Sequence, residues 1–147
     1  MIFPVYSTRK RLPRTFNGTF MHIEIKQFSW PEGNYMIIVA RGILNARALE
    51  QILIKVTAAS VAHANCKVLI DFVEAICTVV PADIDSLFSE LRLDLHPSQS
   101  KIALVSAPDN NHHASLTDVS ACLAKHRLRV AVFRDSKAAV NWLADLL

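Results

Sequence analysis

At 147 residues, 52% hydrophobic and 20% charged, the chain has the size and balance of one globular domain that buries its own core, which excludes a disordered polymer. No apolar run approaches the ~20 residues that a membrane-spanning helix requires, so no membrane span is expected. The formal net charge of +3 sits at one end: Arg9, Lys10, Arg11 and Arg14 fall in the first 20 residues with no acid among them, and the rest is close to neutral. A basic face for nucleic acid on the folded body is therefore not implied.

The first 20 residues carry two prolines and no steady hydrophobic period, and their basic stretch is followed by no apolar run. That is a poor secretory signal, and a cytoplasmic location is the default expectation. The expected division is a flexible basic arm over 1–20 and a folded domain over 21–147, with Met21 as its functional start. From His22 to Phe28, Ile23 and Ile25 alternate with Glu24 and Lys26, which predicts a strand with one wet face. Pro31, Glu32, Gly33 and Asn34 supply turn chemistry, and Tyr35 to Ala40 reads as a more buried strand paired with the first as an antiparallel hairpin.

Gly42 is expected to break that strand. Asn45 can cap a helix reaching about Asn65, with Leu49, Ile52, Leu53, Val56 and Ala59 along one stripe. Lys67 to Phe72 holds the run Val68-Leu69-Ile70 and ends at Asp71, the pattern of an internal parallel strand buried on both faces. Pro81 suits the first turn of a second helix, with Ile84, Leu87, Phe88 and Leu91 inward. Ile102 to Val105 is another short apolar strand, and Asp109 or Asn110 starts a third helix facing inward with Leu116, Val119 and Leu123. Leu128, Val130 and Val132 alternate with Arg129 and Ala131 as an edge strand would. The last helix follows Asp135 or Ser136, with Ala139, Val140, Leu143 and Leu146 inward. The expected fold class is α/β: a mixed sheet of about five strands, an opening antiparallel hairpin and then parallel strands joined by right-handed crossovers, with about four packed helices.

Three stretches carry a family resemblance. They are KVLIDF (67–72), ending in an aspartate before the helix at Pro81; SKIALVS (100–106), before the third helix; and LRVAVFRDSKAAVNWL (128–143). Over about 21–147 the chain resembles the SpoIIAA-like proteins of the STAS superfamily. The resemblance implies a STAS/SpoIIAA-like fold and a non-enzymatic binding or regulatory module. In anti-sigma-factor antagonists of that superfamily a phosphorylatable serine opens the helix after the aspartate-ending strand, in an Asp-Ser-Ser-Gly-like context. This sequence departs there. It reads Cys77-Thr78-Val79-Val80-Pro81, with no serine and no glycine, and Thr78, the nearest hydroxyl, falls slightly early.

Sequence motifs for chemistry are scarce. Gly18, Gly33 and Gly42 are the only glycines, so no glycine-rich phosphate loop can form, and no GxSxG elbow is present. Cys66, Cys77 and Cys122 have neither CxxC nor Cys/His ligand spacing and read as reduced thiols. His112-His113 diverge as neighbours, Cys122 and His126 fit a buried stripe and a helix end, and Glu74, Asp83 and Asp85 fit structural roles near a helix start. No catalytic residue, metal or cofactor is expected.

The segment FVEAICTVVP (72–81) stands out, because it links a strand to a helix yet is mostly apolar. It either folds back as an extra strand or cap, or presents a greasy surface. The candidate ligand- or partner-binding residues are Phe72, Ile76, Thr78, Val79 and Val80. His112 and Arg134 join them from neighbouring loops that open on the same side. Arg134 suits either an anionic group or a salt bridge to a nearby acid. Three readings follow: a module docking a protein partner or a second copy of itself; a small-molecule or lipid carrier with an apolar pocket near 72–81; and a small enzyme pairing His112 or His113 with a carboxylate, the last disfavoured by the resemblance.

Overall fold

The central strands alternate their side chains between two cores, and this places everything else. The structure, a computed structural model, describes residues 21–30, 33–62, 66–91, 101–126 and 128–144. In chain order these form β1 (Met21–Trp30), β2 (Gly33–Leu44), α1 (Ala46–Ala62), β3 (Lys67–Asp71), β4 (Ala75–Cys77), α2 (Pro81–Leu91), β5 (Lys101–Val105), α3 (Asn110–Lys125), β6 (Arg129–Phe133) and α4 (Ser136–Ala144). The expected basic arm over 1–20 lies outside the described residues.

β1 and β2 pair antiparallel, and β2, β3, β5 and β6 follow in parallel, giving the order β1-β2-β3-β5-β6. Met36, Ile38, Val68, Ile70, Ile102 and Leu104 face one core with the stripes of α1, α2 and α3. Ile37, Val39, Leu69, Ala103 and Val105 face the second, with Ala139 and Leu143 of α4. A strand covered on both faces has no wet side to alternate with, which is why β3 and β5 read as continuous apolar runs.

The helices begin where side-chain chemistry dictates. Asn45 Oδ1 accepts the Ala48 N–H at 2.9 Å, Asp109 Oδ1 accepts from Asn111 and His112, and Asp135 Oδ1 accepts from Ala138 at 2.8 Å. At α2 the Asp83 carboxylate reaches back to the Val80 N–H at 3.1 Å, satisfying an otherwise orphaned donor. Each buried Leu, Ile or Val in the α1 stripe contributes about 1.5–3 kcal/mol by leaving water.

One expectation needs correction. Gly42 does not end β2. It adopts φ 112, a conformation open to glycine, and the strand continues to Leu44. The expected mixed sheet is present, with six strands among the described residues, since residues 75–77 fold back as the short β4, the extra strand that was one of the two alternatives for 72–81. β3 pairs with β2 from Tyr35 to Val39, and β4 takes up the same edge from Gly42 to Leu44. The apolar character of 72–81 is explained in part: Ala75 and Cys77 turn to the first core.

Candidate functional site

The connection from β3 to α2 is built around one buried arginine. Asp71 closes β3, and its Oδ1 accepts the Val73 N–H at 2.9 Å, turning the chain. Phe72 donates its N–H to Val105 O, and Ala75 donates to Phe72 O, so the turn is tied to β5 and to itself. Arg41, only 2% exposed, meets it from β2. Its Nε donates to Glu74 Oε2 at 2.7 Å, and its Nη1 lies 3.6 Å from Glu24 Oε2 on β1. Asp71 is 1% exposed and its Oδ2 has no hydrogen-bond partner among the described residues. Burial pushes its carboxyl up to about 6; the Val73 N–H and Arg41 oppose this and Glu74 adds to it.

The β5–α3 loop supports the same region through two histidines. The Ala107 N–H donates to His112 Nδ1 at 3.1 Å, and His112 Nε2 lies 2.7 Å from Ala75 O. A backbone N–H can only donate, so Nδ1 is bare and Nε2 carries the proton given to Ala75 O. The imidazole is thus a strut between α3 and β4. His113 Nδ1 lies 2.9 Å from the hydroxyl of Ser106, a fully buried serine just past β5. No described hydrogen bond joins either ring to a carboxylate, the contact that the enzyme reading required.

An open cleft of about 520 Å³ lies at the carboxyl ends of β3, β5 and β6, lined by Val73, Glu74, Val105, Ser106, Pro108, Arg134, Asp135 and Ser136. This is the end of an open α/β sheet where ligands bind. Arg134 is exposed there and donates to Asn110 Oδ1 at 2.9 Å, a neutral partner, so the guanidinium keeps its charge uncompensated by that contact. Glu74 is engaged by Arg41, and Asp135 caps α4.

The sequence-predicted residues therefore separate. Phe72 is 1% exposed and belongs to the first core. His112 has both ring nitrogens bound to backbone. Val79 is half-buried against the first core. Thr78 is exposed, but its N–H and hydroxyl both reach Leu44 O, at 2.9 and 3.3 Å, prolonging the β2–β4 ladder. Ile76 and Val80 stand clear, 65% and 52% exposed. Arg134 belongs to the cleft.

Arg41, Asp71 and Ser106 were not among the expected site residues, and His113 entered only the enzyme reading. A signal existed for Arg41: a charge within the apolar strand YMIIVARGIL must be paired if it is buried. Glu74, Asp83 and Asp85 do not converge; they serve Arg41, the start of α2 and His126 in turn. Among the described residues no three His, Cys, Asp or Glu side chains gather to hold a metal ion. Burial raises the thiols of Cys66 and Cys77 above their ordinary value.

No protein-family model matches the chain, and no curated protein does. Solved structures do match. The chain is similar to an uncharacterized protein of the DUF3478 family with a SpoIIAA-like fold from Shewanella loihica, with TM-score 0.51 and 18% identity over 88% of this chain and 99% of that one. It is also similar to the anti-sigma factor antagonist SpoIIAA in its unphosphorylated form, with TM-score 0.50 and 12% identity over 86% of this chain and 100% of that one. The fold is SpoIIAA-like, as the three sequence stretches implied. At such identities the likeness concerns the fold, and function must be argued from the site.

Proposed function

We propose that this chain is a non-catalytic binding or regulatory module that docks a protein partner on the surface formed by Ile76, Thr78, Val79 and Val80. The observation that carries this reading is the exposure of Ile76 and Val80, two large apolar side chains four residues apart between β3 and α2. β4 holds Ile76 outward because Ala75 and Cys77 are drawn to the core. The capping contact of Asp83 fixes Val80 at the start of α2. Apolar side chains preset on regular backbone lose little freedom on docking, which favours binding. The solved structure of an anti-sigma factor antagonist with this fold lends the reading support.

In this reading the module works without a phosphoacceptor serine, since the stretch entering α2 offers only Thr78. A cytoplasmic location accompanies it. The carrier alternative draws less support. The cleft bordering 72–81 is open and includes Glu74, Ser106, Arg134 and Asp135, which gives a lipid tail no apolar enclosure.

A photo-crosslinking amino acid placed at position 76 or 80 tests the proposal. A discrete adduct is expected from both sites and not from Ile54, an exposed apolar residue on α1. The pair Ile76→Lys and Val80→Lys should weaken the captured interaction about tenfold or more, with the circular dichroism spectrum unchanged. Equal adducts from position 54, or none from 76 and 80, would discard the docking surface.

A further inference from the structure

The cleft at the carboxyl ends of β3, β5 and β6 takes no part in the docking surface, and its charges are not balanced among themselves. Its volume of about 520 Å³ is in the range of about 300–1,000 Å³ that small-molecule sites occupy. Among the described residues three charged side chains border it, Glu74, Arg134 and Asp135. The two acids are engaged elsewhere. Glu74 Oε2 accepts from Arg41 Nε at 2.7 Å, and Asp135 Oδ1 accepts the Ala138 N–H at 2.8 Å in the first turn of α4. Arg134 has no such answer to its charge. Among the described residues it makes one hydrogen bond, from Nη1 to Asn110 Oδ1 at 2.9 Å, and no ion pair. We propose that the cleft is a binding site for a small organic monocarboxylate, held by Arg134.

The geometry of the guanidinium supports this ligand class. Asn110 Oδ1 carries no charge, so the contact orients the arginine without neutralising it. A guanidinium carries five N–H donors in a rigid, planar fork. With Nη1 turned to Asn110, the edge formed by Nε and Nη2 is left for a carboxylate, whose two oxygens match it with paired N–H···O bonds. The arm is also set in place before any ligand arrives. Arg134 directly follows β6, and Asn110 opens α3, so the contact spans two regular elements. A donor already held in position loses little freedom on binding.

The bordering charges limit what the ligand can carry. Arg41 answers Glu74, and Arg134 and Asp135 then sum to zero, so a single added negative charge is matched by the guanidinium. A second one would face the Asp135 carboxylate without a cation to meet it. A phosphate dianion is thereby disfavoured and a carboxylate favoured. Val73, Val105 and Pro108 supply an apolar wall for the body of the acid. Because the cleft is open, that body is a ring or a short branched chain rather than a lipid tail. None of Ile76, Thr78, Val79 and Val80 borders the cleft, so the docking reading and this one fail separately.

Titration of the purified full chain with benzoate and with isovalerate, followed by proton–nitrogen correlation spectra, tests the site. Saturable shifts are expected at the amides of Ser106, Arg134 and Ser136. Benzamide and isovaleramide, which keep the shape and lack the charge, should bind about tenfold more weakly or worse. Arg134→Gln should raise the dissociation constant of the acid about tenfold or more. Arg134→Lys keeps the charge and loses the fork, and it should still weaken binding several-fold. Arg134 is exposed, so both variants should keep the dispersed spectrum of the folded chain. Shifts that saturate with neither acid, amides that bind as well as the acids, or inorganic phosphate that binds as tightly as they do would each overturn the proposal. So would an affinity indifferent to Arg134→Gln.

Discussion

At position 112 an imidazole joins two backbone groups that would otherwise be stranded at the edge of the core. His112→Ala leaves the Ala75 carbonyl and the Ala107 N–H without their partner. An unsatisfied backbone group costs about 1–3 kcal/mol, less where water can enter. The expected loss is about 2 kcal/mol in urea unfolding, with faster hydrogen exchange at Ala107; a change within 0.5 kcal/mol, roughly what an ordinary surface substitution gives, would refute the strut. The sequence could show that two histidines stood near a helix start. It could not show their roles, because the partners of His112 lie 5 and 37 residues away. Gly42 illustrates the opposite failure. Read as a strand breaker, it is instead the residue that lets β2 continue, at φ 112, with its N–H donated to Glu74 O at 3.2 Å. Gly42→Ala should cost about 1–3 kcal/mol, because a Cβ is disfavoured at that φ and the position is buried.

Among the elements, α4 is the one helix described on its face of the sheet, and it is held by more than apolar contact. Lys101 Nζ donates to Trp142 O at 3.2 Å and lies 5.0 Å from the centre of the indole, whose ring packs at 5.7 Å from Phe133. Trp142→Leu removes the ring contacts and keeps an apolar side chain. It should lower stability by about 1–2 kcal/mol and accelerate hydrogen exchange in α4 more than in α1. Uniform acceleration would mean the clamp is not local. Most elements were legible, since the stripe of α1 repeats at a helical period and the unbroken apolar runs of β3 and β5 mark strands buried on both faces. β4 was not. Three residues cannot establish a period of two, and this strand exists because β2 extends beyond β3 and offers it a free edge. Of the site, the apolar segment was legible from composition. Its division into buried Phe72 and exposed Ile76 depended on that pairing.

For the molecule as a whole, the buried end of β3 links stability to pH. Asp71 is enclosed where its neighbours Arg41 and Glu74 already form an ion pair, so its own charge is poorly compensated. The unfolded chain releases this proton near the ordinary value of 3.8, whereas the folded chain keeps it up to about 6. Between those values the folded state binds more protons. Stability from this group is therefore complete below pH 3.8 and is lost as the pH rises through 6, the reverse of a salt-bridged carboxylate. The gap corresponds to about 3 kcal/mol. Other carboxylates impose their own slopes, so the test compares wild type with Asp71→Asn, whose side chain stays neutral throughout. The stability of Asp71→Asn relative to wild type should rise by about 2.5 kcal/mol between pH 4 and pH 7.5 in urea unfolding, part of the gap having been lost already at pH 4. A difference independent of pH would mean that the carboxyl is ionised in both states. A difference that falls would mean that Arg41 holds Asp71 charged, and the buried arginine would then serve three carboxylates instead of two.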